Sequence, residues 1–134
     1  MKYMIMTYGS QRDYDAMAGD SGADGASDAE LAAMFEFMKR FTDGLAASNE
    51  LVETHGLSAP AMARRVQLRN GTSTVTDGPY AETEDVVAGF WIVECDSFDR
   101  ATEIAARLNE CPGPASPLGT DVRPLLGGAD DPEA

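Results

Sequence analysis

Histidine, cysteine and basic residues are scarce in this chain, and each shortage removes a class of function. The 134 residues hold two cysteines, one histidine, and ten Lys and Arg against 23 Asp and Glu. Cys95 and Cys111 have no CxxC spacing and fall in different expected elements, which excludes a disulfide framework and a thiol redox motif and reads as two free thiols in a reducing compartment. One histidine, His55, leaves no zinc-ligand spacing, so no metal is expected and any imidazole acid or base must be this one. The net charge of −13 would repel a phosphate backbone or an anionic bilayer, so nucleic acid and membrane are not expected partners.

Long apolar runs are missing as well. No stretch approaches the ~20 residues a membrane span needs, and the N-terminal apolar run is about seven residues without a small-residue cleavage site. It scans as a strand rather than a signal segment, and the chain is expected to be cytoplasmic. No GxGxxG, Walker, GxSxG or HExxH pattern occurs, and no cofactor is expected.

What is present reads as one α+β domain over 1–126, followed by an acidic, frayed tail over 127–134. Tyr3 to Tyr8 is a buried first strand ending at Gly9-Ser10. The composition of 10–27 shifts to Gly, Asp, Ala and Ser, which predicts a flexible loop. Ser27-Asp28-Ala29-Glu30 is a capping box, and Leu31, Met34, Phe35, Met38, Phe41 and Leu45 recur at helical spacing to about residue 48. A Met and Phe stripe of this kind is read as core.

Leu51 to Gly56 is a short strand. Arg65 to Asn70 alternates Arg65, Gln67 and Arg69 with Val66 and Leu68, so it has one wet and one dry face. Asn70-Gly71 signals a hairpin, and Thr72 to Thr76 returns. Val86 to Cys95 carries Phe90 and Ile92 on one face and Trp91 and Val93 on the other. Asp96 or Ser97 caps a second helix with the stripe Phe98, Ala101, Ile104, Ala105 and Leu108, ending at Cys111-Pro112-Gly113. Asp121 to Leu126 is a last strand, placed at an edge by Pro124. The order is the ferredoxin-like β-α-β-β-α-β. Two helices on one side leave the second apolar face of Val86 to Cys95 uncovered, and a second copy in a two-fold homodimer is the simplest cover.

The densest turn chemistry lies at Val75-Thr76-Asp77-Gly78-Pro79-Tyr80-Ala81-Glu82. Asp77 can simply close its own turn, its carboxylate accepting backbone N–H groups nearby. Alternatively a carboxylate fixed beside Tyr80 and Glu82 is a polar site on a stiff loop.

This stretch, with Gly89-Phe90-Trp91-Ile92-Val93 after it, resembles the DGPF signature of the YCII-related family. The opening Met1 to Gly9, Glu50-Leu51-Val52 with Gly56-Leu57 and Pro60, and the closing Val122-Arg123-Pro124-Leu125 are similar to further motifs of that family. Two positions depart from it: Glu84-Asp85 stands where the family has Lys-Glu, and Tyr80 replaces the Phe of the motif. The resemblance implies a dimeric α+β barrel with a cleft between sheet and loops, and often an association with sigma-factor-linked regulation. It also implies that Asp77 can work with a histidine.

Asp77 and His55 are therefore the candidate catalytic residues, a base with its orienting carboxylate if the fold joins them. Tyr80, Arg65 and Glu82 are the candidate ligand-binding residues, the arginine for a carboxylate or phosphate. His55 as an exposed polar residue, and the arginines as partners of surface acids, are the plainer readings. The sequence supports a small-molecule-binding protein, a cofactor-free enzyme or a regulatory accessory protein, and leaves open whether it is an enzyme.

Overall fold

Alternation along the first strand sets the frame. In β1 (Lys2–Gly9) Tyr3 and Ile5 are buried while Met4 and Met6 are half-buried on the opposite face. The computed structural model describes residues 1–18, 27–78 and 80–127. β5 (Val86–Glu94) pairs antiparallel with β1 from Lys2↔Glu94 to Gly9↔Val86, with Ala88 of β5 unpaired between the Thr7↔Gly89 and Tyr8↔Val87 pairs. β6 (Asp121–Pro124) lines the other side of β1, and β2 (Leu51–Gly56) the far side of β5. The sheet order is β2-β5-β1-β6. β6 is thus an edge strand, where the missing N–H of Pro124 is harmless.

Because every neighbouring pair is antiparallel, β1 and β2 run in one direction with β5 between them, and β5 and β6 run in the other with β1 between them. Each connection crosses one strand through a helix, α2 (Asp28–Ala47) or α3 (Phe98–Ala106). Crossovers of the usual right hand place both helices on one face. The result is an α+β fold matching the ferredoxin-like pattern. β3 (Arg64–Arg69) and β4 (Thr72–Asp77) form a separate two-stranded sheet. Asn70 and Gly71 at its tip both have positive φ, 51° and 77°, the paired left-handed turn that Asn-Gly favours.

The core lies between the four-stranded sheet and the two helices. Ile5, Leu45, Ile104 and Val93 are fully buried. Phe41 meets Trp91 edge-on with centroids 5.2 Å apart, and the Trp91 indole donates to Thr42 Oγ1 at 3.1 Å. α2 begins with Glu30 N–H donating to Ser27 Oγ at 3.1 Å, while the Glu30 carboxylate meets that same hydroxyl at 3.3 Å rather than the Ser27 backbone. Phe35 departs from the expected stripe and is 60% exposed. The buried line of α2 runs through Met34, Phe41 and Leu45, and Phe35 sits one position, about 100° of helix rotation, off that line.

The expected loop over 10–27 contains a third helix, α1 (Gln11–Ala18). Ser10 and Asp13 cap it reciprocally: Asp13 N–H donates to Ser10 Oγ at 3.2 Å and Ser10 N–H to Asp13 Oδ2 at 3.0 Å. The loop expectation over 19–26, the tail over 128–134 and Pro79 of the expected turn lie outside the described residues. Among the described residues no helix is long and apolar enough to cross a membrane.

Candidate functional site

A cavity of about 450 Å³ lies where the C-terminal end of β1 faces the bulged start of β5. Met34 and Met38 of α2 and Trp91 of β5 line one part of it, and Tyr14 and Met17 of α1 another, with Cys111 and the segment to Thr120 at the side. Gly89 makes the close strand approach here possible: a Cβ on it would stand 3.1 Å from the His55 carbonyl of β2.

Three hydroxyls that line this cavity donate their protons to backbone carbonyls. Tyr14 OH donates to the Leu57 carbonyl at 2.8 Å, Thr54 Oγ1 to the Phe90 carbonyl at 2.9 Å, and Thr7 Oγ1 to the Gly89 carbonyl at 3.4 Å. Burial pushes the Tyr14 phenol and the Cys111 thiol above their ordinary pKa values, so both stay protonated near neutrality. The Asp13 carboxylate faces the Ser10 N–H, and no Lys or Arg lines the cavity. What remains is an apolar space with spare hydroxyl lone pairs and no cation.

The five residues expected to form a site are distributed among separate contacts. Arg65 and Tyr80 do come together, the guanidinium lying 4.6 Å from the ring centroid beside a shallow cleft bordered by Tyr8, Pro60 and Tyr80. Asp77 pairs with Arg64 across the hairpin at 3.2 Å, both side chains largely exposed. Pro79, two residues on, has no N–H for it to accept. Gly78 holds the turn at φ +48°, donating its N–H to the Ala63 carbonyl at 2.9 Å, and a Cβ there would meet the Ala61 carbonyl oxygen at 3.3 Å.

His55 borders the cavity, yet its ring bonds Glu53 at 2.9 Å and lies 5.7 Å from the Phe90 ring, 58% exposed. Glu82 is exposed, and its backbone carbonyl accepts from Arg12 N–H. No hydrogen bond joins His55 to Asp77. Among the described residues, no three His, Cys, Asp or Glu side chains converge as a metal ion requires.

Tyr14 and Thr54 are the site residues that sequence reasoning missed. The signal for Tyr14 was there in Ser10-Gln11-Arg12-Asp13, the same capping pattern as Ser27 to Glu30, which starts a helix directly before it. Thr54 gave none, since a threonine on a strand is ordinary.

An antiparallel four-stranded sheet with split β-α-β crossings, carrying a cavity between sheet and helices, defines a ferredoxin-like α+β domain. The YCII-related domain model matches residues 1–116, and the chain belongs to the YCII-related family. It is also 41% identical, over 56 residues, to an uncharacterized protein of Rhizobium meliloti (strain 1021). That match covers 41% of this chain and 43% of the relative, so the chain spans less than half the length of the curated relative it matches.

Proposed function

We propose that this YCII-related protein binds a small, uncharged, largely apolar molecule in the cavity between β5 and α2, and that it does so as a cytoplasmic homodimer. The single observation that carries the ligand reading is the cavity itself: about 450 Å³, walled by Met34, Met38 and Trp91, and lined by no Lys or Arg. An anion entering it would lose hydration with no cation to replace it, which costs more than the contacts return. An uncharged aromatic ring would bury its surface on methionine and tryptophan and give a hydroxyl proton to the free lone pairs of Thr7, Thr54 or Tyr14. The acid/base enzyme reading has less support, because His55 and Asp77 each bond another residue.

The dimer reading rests on the other face of the sheet. Met4, Met6, Phe90 and Ile92 are paired in register and half-buried there, with Glu53 and His55 in register on the β2 side and Asp121 and Arg123 on the β6 side. An apolar centre rimmed by polar groups is the composition of a protein interface. The free thiols agree with a reducing compartment.

Trp91 is the single tryptophan and lines the cavity, so its emission reports occupancy. Titration with 1-naphthol is expected to change that emission saturably, with 1-naphthoate weaker by about tenfold or more. Ala115→Phe, filling the exposed side of the cavity, is expected to abolish the response while the circular dichroism stays that of the wild type. A linear, unsaturable response to both compounds, or equal binding to the Ala115→Phe protein, would overturn the reading.

A further inference from the structure

Among the described residues that line the cavity, Asp13 is the single carboxylate. Its place is fixed from two sides. It lies in the first turn of α1, where the Ser10 N–H donates to Oδ2 at 3.0 Å and its own N–H donates to Ser10 Oγ, so the side chain cannot swing away without giving up the cap. Gly9 leaves room for it at the end of β1: a Cβ there would stand 3.9 Å from Asp13 Oδ2 and 3.8 Å from Tyr14 Cε2. The other oxygen, Oδ1, has no hydrogen bond or ion pair among the described residues. A half-buried carboxylate with one oxygen unpartnered is incomplete, because the water it has lost is not replaced by a protein donor.

The neighbouring donors are committed elsewhere. Tyr14, Thr7 and Thr54 give their protons to backbone carbonyls, and the Trp91 N–H goes to Thr42. Of the remaining lining side chains with a proton to give, Asn109, Ser116 and Thr120, none bonds Asp13. We infer that Asp13 selects the ligand of this cavity, its Oδ1 accepting a hydrogen bond from an O–H or N–H group carried on an aromatic ring. This narrows the ligand from an uncharged apolar molecule to an aromatic donor, of which a phenol and an indole are examples, and it rests on the ligand reading proposed above. A hydrogen bond to a carboxylate is stronger than one between neutral groups, and more so where little water competes. An ether of the same shape offers Asp13 only lone pairs, so the cavity would reject it by leaving both acceptors unsatisfied.

1-Naphthol and 1-methoxynaphthalene share a ring and differ in the proton. Titrations with both, followed by Trp91 emission, are made for the full-length wild type, Asp13→Asn and Ser10→Ala. The wild type is expected to bind the naphthol about tenfold or more tighter than the ether, a comparison that needs no substitution. Asn at position 13 keeps an oxygen for the Ser10 N–H and puts an NH₂ donor in the place of Oδ1, so the preference is expected to vanish or reverse while the circular dichroism is unchanged. Ser10→Ala loosens α1 and leaves the carboxylate, so it is expected to weaken both compounds alike and keep the preference. If Asp13→Asn lowers both affinities together and retains the wild-type preference, Asp13 is only a cap and the inference is overturned. Equal wild-type affinity for the two compounds also overturns it, and leaves the cavity reading standing. A wild type with no saturable response to either compound overturns both.

Discussion

At the scale of single residues, the strongest polar contact is remote from the cavity. Glu50, directly before β2, receives two hydrogen bonds of 2.8 Å from the Arg100 guanidinium of α3, a bidentate pair, and a third of 2.8 Å from Ser48. The Arg100 bonds above all, then Ser48, hold its carboxyl at about 2, against an ordinary value of 4.5. A carboxyl depressed in the folded state lends stability that is complete above its unfolded pKa and is lost as pH falls through the folded one. Thermal melts are therefore expected to show Glu50→Gln less stable than the wild type at pH 7, with the two curves converging between about pH 4.5 and about pH 2. A constant gap across that window would mean that the pair contributes through packing rather than charge. Tyr8 shows the reverse shift: its hydroxyl donates to Asp121, and that bond raises the phenol pKa.

Among the elements, α1 is the one that decides whether the cavity has a wall, since Tyr14 and Met17 belong to it. Its eight residues have little helical stability of their own and depend on the Ser10 cap. Ser10→Ala is expected to cost about 1 kcal/mol in denaturant unfolding and to raise exchange at the amides of 11–18 selectively. Uniform exchange across the chain would show that the cap stabilises the whole molecule and not the helix. This element also marks the limit of what the sequence revealed. β1, β5, the capped α2, the Asn-Gly hairpin and the edge position of Pro124 were all legible, because each depends on neighbours within a few positions. The composition of 10–27, rich in Gly, Asp, Ala and Ser, masked the short capped helix at its start. The cavity could not be read from the Met and Phe stripe, because whether such a stripe meets protein or empty space depends on tertiary packing and not on helical spacing. The sequence marks Arg65 and Tyr80 as ligand-binding candidates and does not show their mutual contact; Arg64 meets Asp77 through pairing across the hairpin, whereas Glu53 meets His55 two positions along the same strand face.

For the whole molecule, the two faces of the sheet differ in burial. The helix face holds the core, with Tyr3, Ile5, Trp91 and Val93 buried. Phe90→Asp on the opposite face is expected to leave the fold intact, because Phe90 contributes nothing to the buried cluster, and to convert a dimer to a monomer by size-exclusion chromatography with light scattering. A stable dimer carrying this substitution would show that association uses some other surface. The net charge of −13 acts against association at low ionic strength, so the comparison is best made near physiological salt.

The bulge at Ala88 of β5, opposite Thr7 and Tyr8, divides β1 into two lengths with different obligations. Before it, strict alternation ties every side chain either to the core or to the opposite face. Beyond it, Tyr8 and Gly9 border the cavity, and the Tyr8 hydroxyl also donates to Asp121. Change in the second length need not propagate into the first. Under the proposed binding role, a lineage of such proteins can exchange one ligand for another by altering the mouth of the cavity, while the pairing that holds the sheet is inherited untouched.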